Sequence, residues 1–481
     1  METGTFITLG LYFVLMLAIG LYAYRESTSD VSGYILGGRK LGPAVAALSA
    51  GASDMSGWML LGLPGAMYLS GLSSMWIAIG LFIGAFANYL IVAPRLRLYT
   101  ELARDALTIP DYFDKRFLDN SRMLRVISSI VIVVFFTLYT SSGLVAGGKL
   151  FESAFGLDYS WGLFITAGVV MAYTLLGGFM AVSLTDFVQG CIMFVALILV
   201  PFVALTHVGG VAGMTETIRG IDPGLLDLFK DATLISIISA MAWGLGYFGQ
   251  PHIIVRFMAV RSVRSVATMR NIGMSWMLVT LIGALGTGLA GLAYASRTGL
   301  VVDDPETIFI LLSDVLFNPL ITGFLLAAIL AAIMSTISSQ LLVSSSSLTE
   351  DFYGIFLRKN ASQKELVLVG RLTVLAVAVA AGILAWNPSN SVLGLVSQAW
   401  AGFGAAFGPL VILSLTWKRM TRNGALAGMI VGAATVLFWT YAPVLVDGAV
   451  LGSLIYEIVP GFVLSFIAIV VVSLMGKAPT G

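Results

Sequence analysis

Charge is scarce in this 481-residue chain: only 11% of its residues are Asp, Glu, Lys or Arg, against roughly a quarter in soluble globular domains. So few ionic groups cannot clothe a globule of this size in water-facing surface, which excludes a soluble globular protein. A basic excess is lacking as well. Lys and Arg number 26 against 25 Asp and Glu, a balance that argues against nucleic-acid binding. Cysteine occurs once, at Cys191, so an intrachain disulfide framework is excluded. The two histidines, His207 and His252, lie far apart without a Cys or carboxylate beside them, a poor basis for a metal site. There is no H-E-x-x-H and no nucleophile elbow, so an intramembrane hydrolase finds no support.

Apolar residues fill the space that charge leaves. They make up 58% of the chain, with a mean hydropathy of +0.96 and 53 glycines. This composition predicts an all-α membrane protein whose helices approach closely over small residues. A crossing needs about 20 apolar residues. Thirteen charge-poor runs qualify: 5–24, 42–70, 73–93, 122–148, 159–177, 184–207, 232–258, 271–296, 316–349, 367–386, 391–415, 424–443 and 451–475. Glu2 stands where a signal peptide has its basic stretch, so the first run reads as a retained helix.

Thirteen crossings put the termini on opposite sides, and Lys and Arg in the connections decide which. With the N-terminus outside, 22 of the 26 basic residues fall inside; only Lys149, Arg219, Lys230 and Arg297 fall outside. The expectation is N-terminus outside, C-terminus inside. The longest connections, about 94–121 and 208–231, cannot build a sizeable core. Residues 1–481 are therefore read as one transmembrane domain: an extra N-terminal helix in 1–41, a first repeat 42–207, a second 232–415, and two extra helices in 424–481.

Two of the runs are interrupted. The second reads Leu48-Ser-Ala-Gly-Ala-Ser-Asp-Met-Ser-Gly-Trp58 and the seventh Ala242-Trp-Gly-Leu-Gly-Tyr-Phe-Gly-Gln-Pro-His252. Gly weakens a helix by about 1 kcal/mol and Pro by about 3, so both segments are candidates for unwinding. Irregular backbone at membrane depth is tolerated only where protein buries it or a cavity is lined by it. The breaks lie five runs apart. Five is odd, so the two sets of helices enter from opposite sides, an inverted repeat led in each half by a broken helix. That pattern points to a transporter's midplane site; the plainer alternative is glycine serving close packing alone.

Asp54 is the only charged residue between Lys40 and Arg95. A carboxylate near the bilayer centre costs about 2.5–3.5 kcal/mol on insertion scales and is functional by default, the alternative being an internally bonded structural group. The ninth run carries Ser335, Thr336, Ser338 and Ser339 on consecutive turns. Their hydroxyls and the freed carbonyls of the second run suit a hard cation such as Na⁺; alternatively they bond their own helix one turn back. Asp186, in Ser183-Leu-Thr-Asp186, reads as a cap at the start of the sixth helix or as an ion relay. Arg39 reads as a positive-inside anchor or a gate at the inner mouth. Gly143-Leu-Val-Ala-Gly-Gly-Lys149-Leu150 stops one residue short of a P-loop and ends a membrane helix, a chance match.

These stretches occur together in one family. Tyr34-Ile-Leu-Gly-Gly-Arg39, Leu48 to Trp58, Gly62-Leu-Pro-Gly-Ala66, Gly244 to His252, Ile329-Leu-Ala-Ala-Ile-Met-Ser-Thr336 and Ala399-Trp-Ala-Gly-Phe-Gly-Ala-Ala-Phe-Gly-Pro409 resemble the solute:sodium symporter family over nearly the whole chain. The resemblance implies a LeuT-like five-plus-five core with three extra helices in a bacterial inner membrane. It implies Na⁺-coupled import of L-proline by alternating access, with no cofactor and no chemical step. Na⁺ is assigned to the carbonyls of Ala52 and Met55 with Ala332, Ser335 and Thr336, and Asp54 beside them. Proline is assigned to a space near Ser56, Trp58, Tyr139, Trp243, Tyr247 and Pro251. Arg39 and Asp54 match positions the family needs for coupled uptake; Asp186 joins Arg39 as a gating or coupling candidate. Whether Asp54 holds Na⁺ or the proline ammonium stays open, as does another small solute of the same family. Outside this class, a channel needs a continuous pore ring and an enzyme needs a catalytic set.

Overall fold

The computed structural model describes residues 2–27, 30–387 and 391–480. Nearly all of it is helix; the only sheet among the described residues is a hairpin pairing Leu445–Val446 with Ala449–Val450. The principal helices are α1 (Thr3–Ser27), α2 (Pro43–Asp54), α3 (Leu63–Ser70), α4 (Met75–Ile91), α5 (Met123–Phe155), α6 (Tyr159–His207), α7 (Leu234–Met241), α8 (Pro251–Ala259), α9 (Val266–Thr298), α10 (Pro319–Ser346), α11 (Gln363–Leu384), α12 (Val392–Thr416), α13 (Arg422–Tyr441) and α14 (Ile458–Met475). Their ends follow from local chemistry. Pro43, Pro251 and Pro319 open helices where a missing N–H costs nothing. Asn318, Ser362, Ser391 and Thr421 cap the N-termini of α10 to α13 with side-chain acceptors.

Among the described residues, ten helical stretches are long and apolar enough to cross a membrane, so this is a multi-pass membrane protein. The thirteen runs and these ten stretches differ where helices break or fuse. Run 42–70 is divided between α2 and α3, with a wider turn at Trp58–Gly62 between them. Run 232–258 is divided into α7, a tight 3₁₀ stretch Ala242–Gly249, and α8. Runs 159–177 and 184–207 are joined in α6, which turns at Gly178 with φ 60° and ψ −145°. That conformation needs glycine. The turn comes six residues before the start expected from sequence, so Asp186 sits two turns inside the helix and is not its cap.

Helix α10 is the axis of the bundle: every residue from Leu325 to Ser346 is buried. It packs on α5, α6 and α1. Hydrophobic burial gives little drive between helices in lipid, so close approach matters more. Helix α4 meets the Ala242–Gly249 stretch through Gly80 and Gly84. A Cβ on Gly80 would collide with the Met241 carbonyl oxygen, and one on Gly84 with that of Gly244.

At one end of the bundle, main chain just before α2 is tied to main chain at the end of α8. The Leu41 N–H donates to Ala259 O at 3.2 Å and the Arg261 N–H to Leu41 O at 2.8 Å. The connection 94–121, expected to lack a core, forms short helices Ala93–Leu102 and Ile109–Arg116 around a buried polar cluster. There Arg125 meets Asp351 at 2.8 Å and Asp111 at 3.3 Å.

Gly84→Val is expected to cut the yield of folded protein and lower its melting temperature. Overpacking of this kind costs about 1–3 kcal/mol, and here the obstacle is backbone. Thermal scanning with fluorescence-detected size exclusion measures it; an unchanged melting temperature would show that α4 can move away.

Candidate transport site

Helix α2 ends at Asp54, and Met55 takes φ −78°, ψ 78°. In a continuous helix the Ser56 N–H would bond Ala52 O; here it turns to Asp54 O at 2.9 Å. The Ala52 carbonyl is thereby released, and side chains from α10 take it up. Ser335 Oγ donates to it at 2.6 Å, and Thr336 Oγ1 lies 3.5 Å from it. Both hydroxyls also reach Ala332 O at 3.2 Å. Four oxygens of the expected Na⁺ set, those of Ala52, Ala332, Ser335 and Thr336, therefore converge between α2 and α10. Met55 stands at the break, its N–H bonded to Gly51 O at 2.8 Å. No hydrogen bond between its carbonyl and the two hydroxyls is present among the described residues.

Asp54 is 3% exposed. One carboxylate oxygen accepts the Tyr247 hydroxyl at 2.6 Å, which ties the first break to the second. Its other oxygen has no hydrogen-bond partner among the described residues. The Asp54 carbonyl accepts the Trp58 indole N–H at 3.0 Å. A void of about 30 Å³ beside Asp54, lined also by Asn88, Tyr89 and Trp276, has room for a water-sized group and not for an amino acid.

The second break ends in extended backbone at Gln250, φ −85°, ψ 106°, with Pro251 as the first residue of α8. Side chains again cover the exposed carbonyls. Trp400 Nε1 donates to Trp243 O at 2.7 Å, and Gln250 Nε2 donates to Gly246 O and Trp400 O, each at 3.0 Å. The expected aromatic residues flank this break, each against a further ring. Trp243 meets Tyr456 at 5.2 Å, Tyr247 meets Trp400 at 5.0 Å, and Tyr139 from α5 meets His252 at 5.6 Å. Ser56, Trp58 and Pro251 are buried in the same region. The Tyr139 hydroxyl, Gln250 Oε1 and both His252 ring nitrogens carry no hydrogen bond among the described residues. Unpaired buried polar groups are costly and rare, so their gathering here marks a place where a polar cargo would be satisfied.

Asp186 departs from its plainer reading, and Arg39 makes more bonds than that reading requires. Asp186 is fully buried inside α6 and pairs with fully buried Arg256 of α8 at 3.2 Å. Ser49 bridges them, donating to Asp186 at 2.8 Å and accepting from Arg256 Nε at 3.0 Å, and Ser339 accepts from Arg256 at 2.8 Å. The network joins α2, α6, α8 and α10 directly beside the oxygen cluster. Arg256 counts among the inside cations by position, yet it lies within run 232–258; a cation in an apolar run was the missed signal that Asp186 has a buried partner. Arg39 is no loose anchor. It bonds Asp105 at 2.7 Å, Ala106 O at 2.6 Å, Met258 O at 2.8 Å and Thr100 at 3.2 Å, pinning the segments that flank the Leu41–Val260 contact.

Two broken helices facing each other across a buried carboxylate and a hydroxyl-bearing helix define a membrane carrier. The family model described as Sodium:solute symporter family matches residues 34–432. The chain is 61% identical over 479 residues to the osmoregulated proline transporter OpuE of Bacillus subtilis, covering 100% of this chain and 96% of the relative. It is 59% identical to the high-affinity proline transporter PutP of the same organism, over 97% of each chain. It is 54% identical to a sodium/proline symporter of Staphylococcus aureus, covering 99% of this chain and 93% of the relative. Among solved structures, a Na⁺-coupled sialic acid symporter in a substrate-bound outward-open state superposes with a TM-score of 0.82 at 19% identity, over 100% and 99% of the two chains. The nucleobase-cation-symport-1 transporter Mhp1 superposes at 0.56 with 12% identity, over 95% and 97% of the chains. The chain belongs to the sodium:solute symporter family, whose members are transporters and not enzymes.

The buried ion pair and the hydroxyl pair can be probed separately. Arg256→Met alone is expected to destabilise the fold by about 3–5 kcal/mol, since it leaves a buried carboxylate without its cation. Pairing it with Asp186→Leu restores most of the loss, which melting temperatures of the three variants would read out. Ser335→Ala with Thr336→Ala is expected to raise the Na⁺ concentration for half-maximal uptake far more than it alters preference among solutes. An unchanged Na⁺ dependence would mean that these hydroxyls only hold α2 to α10.

Proposed function

We propose that the protein imports L-proline coupled to Na⁺, by alternating access, across a bacterial plasma membrane. The observation that carries the reading is the pair of breaks joined by the Asp54–Tyr247 hydrogen bond and flanked by the released Ala52 carbonyl. Na⁺ is cargo here, taken by the oxygens of Ala52, Met55, Ala332, Ser335 and Thr336, with Asp54 adjacent to both ion and solute. Proline offers a carboxylate, an ammonium and an apolar ring. The ring and cation suit the faces of Trp58, Tyr139, Trp243 and Tyr247, with Ser56 and Pro251 completing the wall. The carboxylate suits freed N–H groups at a half-helix start. The names of the relatives support proline as the solute. Arg39 and Asp186 act in coupling, through the ties each makes between the two halves.

The topology proposed is thirteen crossings in a five-plus-five inverted repeat, 42–207 and 232–415, with extra helices in 1–41 and 424–481. The N-terminus lies outside and the C-terminus inside, a reading supported by the distribution of Lys and Arg. One cation entering gains about 2.3 kcal/mol per 100 mV, and a tenfold Na⁺ gradient adds about 1.4. At one ion per solute this supports roughly 500-fold accumulation.

Radiolabelled proline uptake into proteoliposomes, with and without an inward Na⁺ gradient, tests the proposal. Competing sugars, pantothenate and other amino acids test the solute. Uptake indifferent to Na⁺ would overturn the coupling, and stronger competition by another solute would overturn proline. Tyr139→Ala, Trp243→Ala and Tyr247→Ala are each expected to weaken proline binding by about 5- to 30-fold, the value of one aromatic face to a cation. Na⁺ binding measured without proline should move less for Tyr139 and Trp243. Equal losses of both affinities would make these rings structural.

A further inference from the structure

Away from the transport site, a cavity of about 950 Å³ opens at the end of the bundle where the Ala93–Leu102 helix, the end of α12 and the C-terminal tail meet. Five cations line it, Arg95, Arg116, Lys418, Arg422 and Lys477, and among the described residues no carboxylate side chain does. Of the five, only Arg422 has an acidic partner among the described residues, Asp119 at 2.8 Å. Arg116 is held by neutral groups that leave its charge uncancelled: it donates to Ser414 O at 2.9 Å and Trp417 O at 3.4 Å, and its guanidinium lies 4.7 Å from the Phe117 ring centre. Lys477 is kept on the rim by Arg419, which bonds the Ser473 and Gly476 carbonyls just before it, each at 2.8 Å. Lys418 and Lys477 are exposed and make no ion pair among the described residues. The indole of Trp417, at the end of α12, is in the lining, as aromatic side chains are at the boundary between lipid and water.

We propose that this cavity binds a phosphate-bearing anion, the headgroup of an anionic phospholipid or a free phosphate. Planar guanidinium groups fixed by neutral partners suit phosphate oxygens, and lysines near the surface add attraction to an anionic headgroup. The proposal rests on the membrane character of the chain and is independent of which solute is carried.

The test is native mass spectrometry of the delipidated full chain with phosphatidylglycerol, phosphatidylcholine or inorganic phosphate added separately. Phosphatidylglycerol is expected to be retained in preference to phosphatidylcholine. Lys418→Gln with Lys477→Gln should weaken it at least about tenfold, following the contribution of each surface lysine. Lys359→Gln with Lys364→Gln removes equal charge elsewhere and should leave retention unchanged. Displacement of the lipid by millimolar phosphate, or a phosphate adduct lost in the Lys418 and Lys477 double variant, would assign the site to the soluble anion. Equal retention of both lipids with no phosphate adduct, or equal loss in both double variants, would overturn the proposal. All four lysines are exposed, and the melting temperatures of the two double variants confirm that they fold.

Discussion

A peptide carbonyl in hydrocarbon must find a donor, and the centre of this protein is arranged around that demand. Breaking α2 and the Ala242–Gly249 stretch releases carbonyls that an intact helix would bond. Side chains supply a donor to four carbonyls in and around these breaks. Ser335 takes Ala52, Trp58 takes Asp54, Trp400 takes Trp243, and Gln250 takes Gly246. The breaks are stable because such donors, two of them from α10 and α12, stand at the right depth. Where the donor is a hydroxyl, the carbonyl is held only by a bond that a cation can replace. Ser335 and Thr336 therefore hold α2 to α10 with the same oxygens that are proposed to take the ion.

Much of this was legible in sequence, because glycine, proline and a lone carboxylate seldom stand together within apolar runs unless the helix is interrupted there. Asp54, the two breaks and the hydroxyls of Ser335, Thr336, Ser338 and Ser339 emerged from residue type and spacing, whereas the choice of Ser335 and Thr336 among them was implied by the family resemblance. The partners that complete them did not. Trp400 and Gln250 stand in stretches that the pattern marks, yet residue type alone assigns neither a partner, and only their indole and amide bonds give them a role. Tyr456 reaches Trp243 from just before α14, a contact of more than two hundred residues' separation that no local pattern encodes.

Asp186 shows how a local rule can mislead. Ser183-Leu-Thr-Asp186 carries the residues of a helix start, yet the turn is set at Gly178, where left-handed backbone is required and Tyr34 packs closely. Backbone conformation outranked capping preference, and the carboxylate was carried inward to Arg256. A buried ion pair costs desolvation and gives little net stability. Its retention beside Ser339 and Ser49 is easier to understand as a device that fixes the relative placement of four helices.

The pairing of Leu41 with Ala259 and Arg261 has a bearing on how the family can diversify. It is made of amides and carbonyls, so its strength does not depend on which side chains stand there. Arg39 adds its guanidinium to the same seam and meets main-chain carbonyls there too, those of Ala106 and Met258. Substitutions that reshape the candidate cleft therefore leave the donors and acceptors of this seam in place, a tolerance that is inherited with the backbone path.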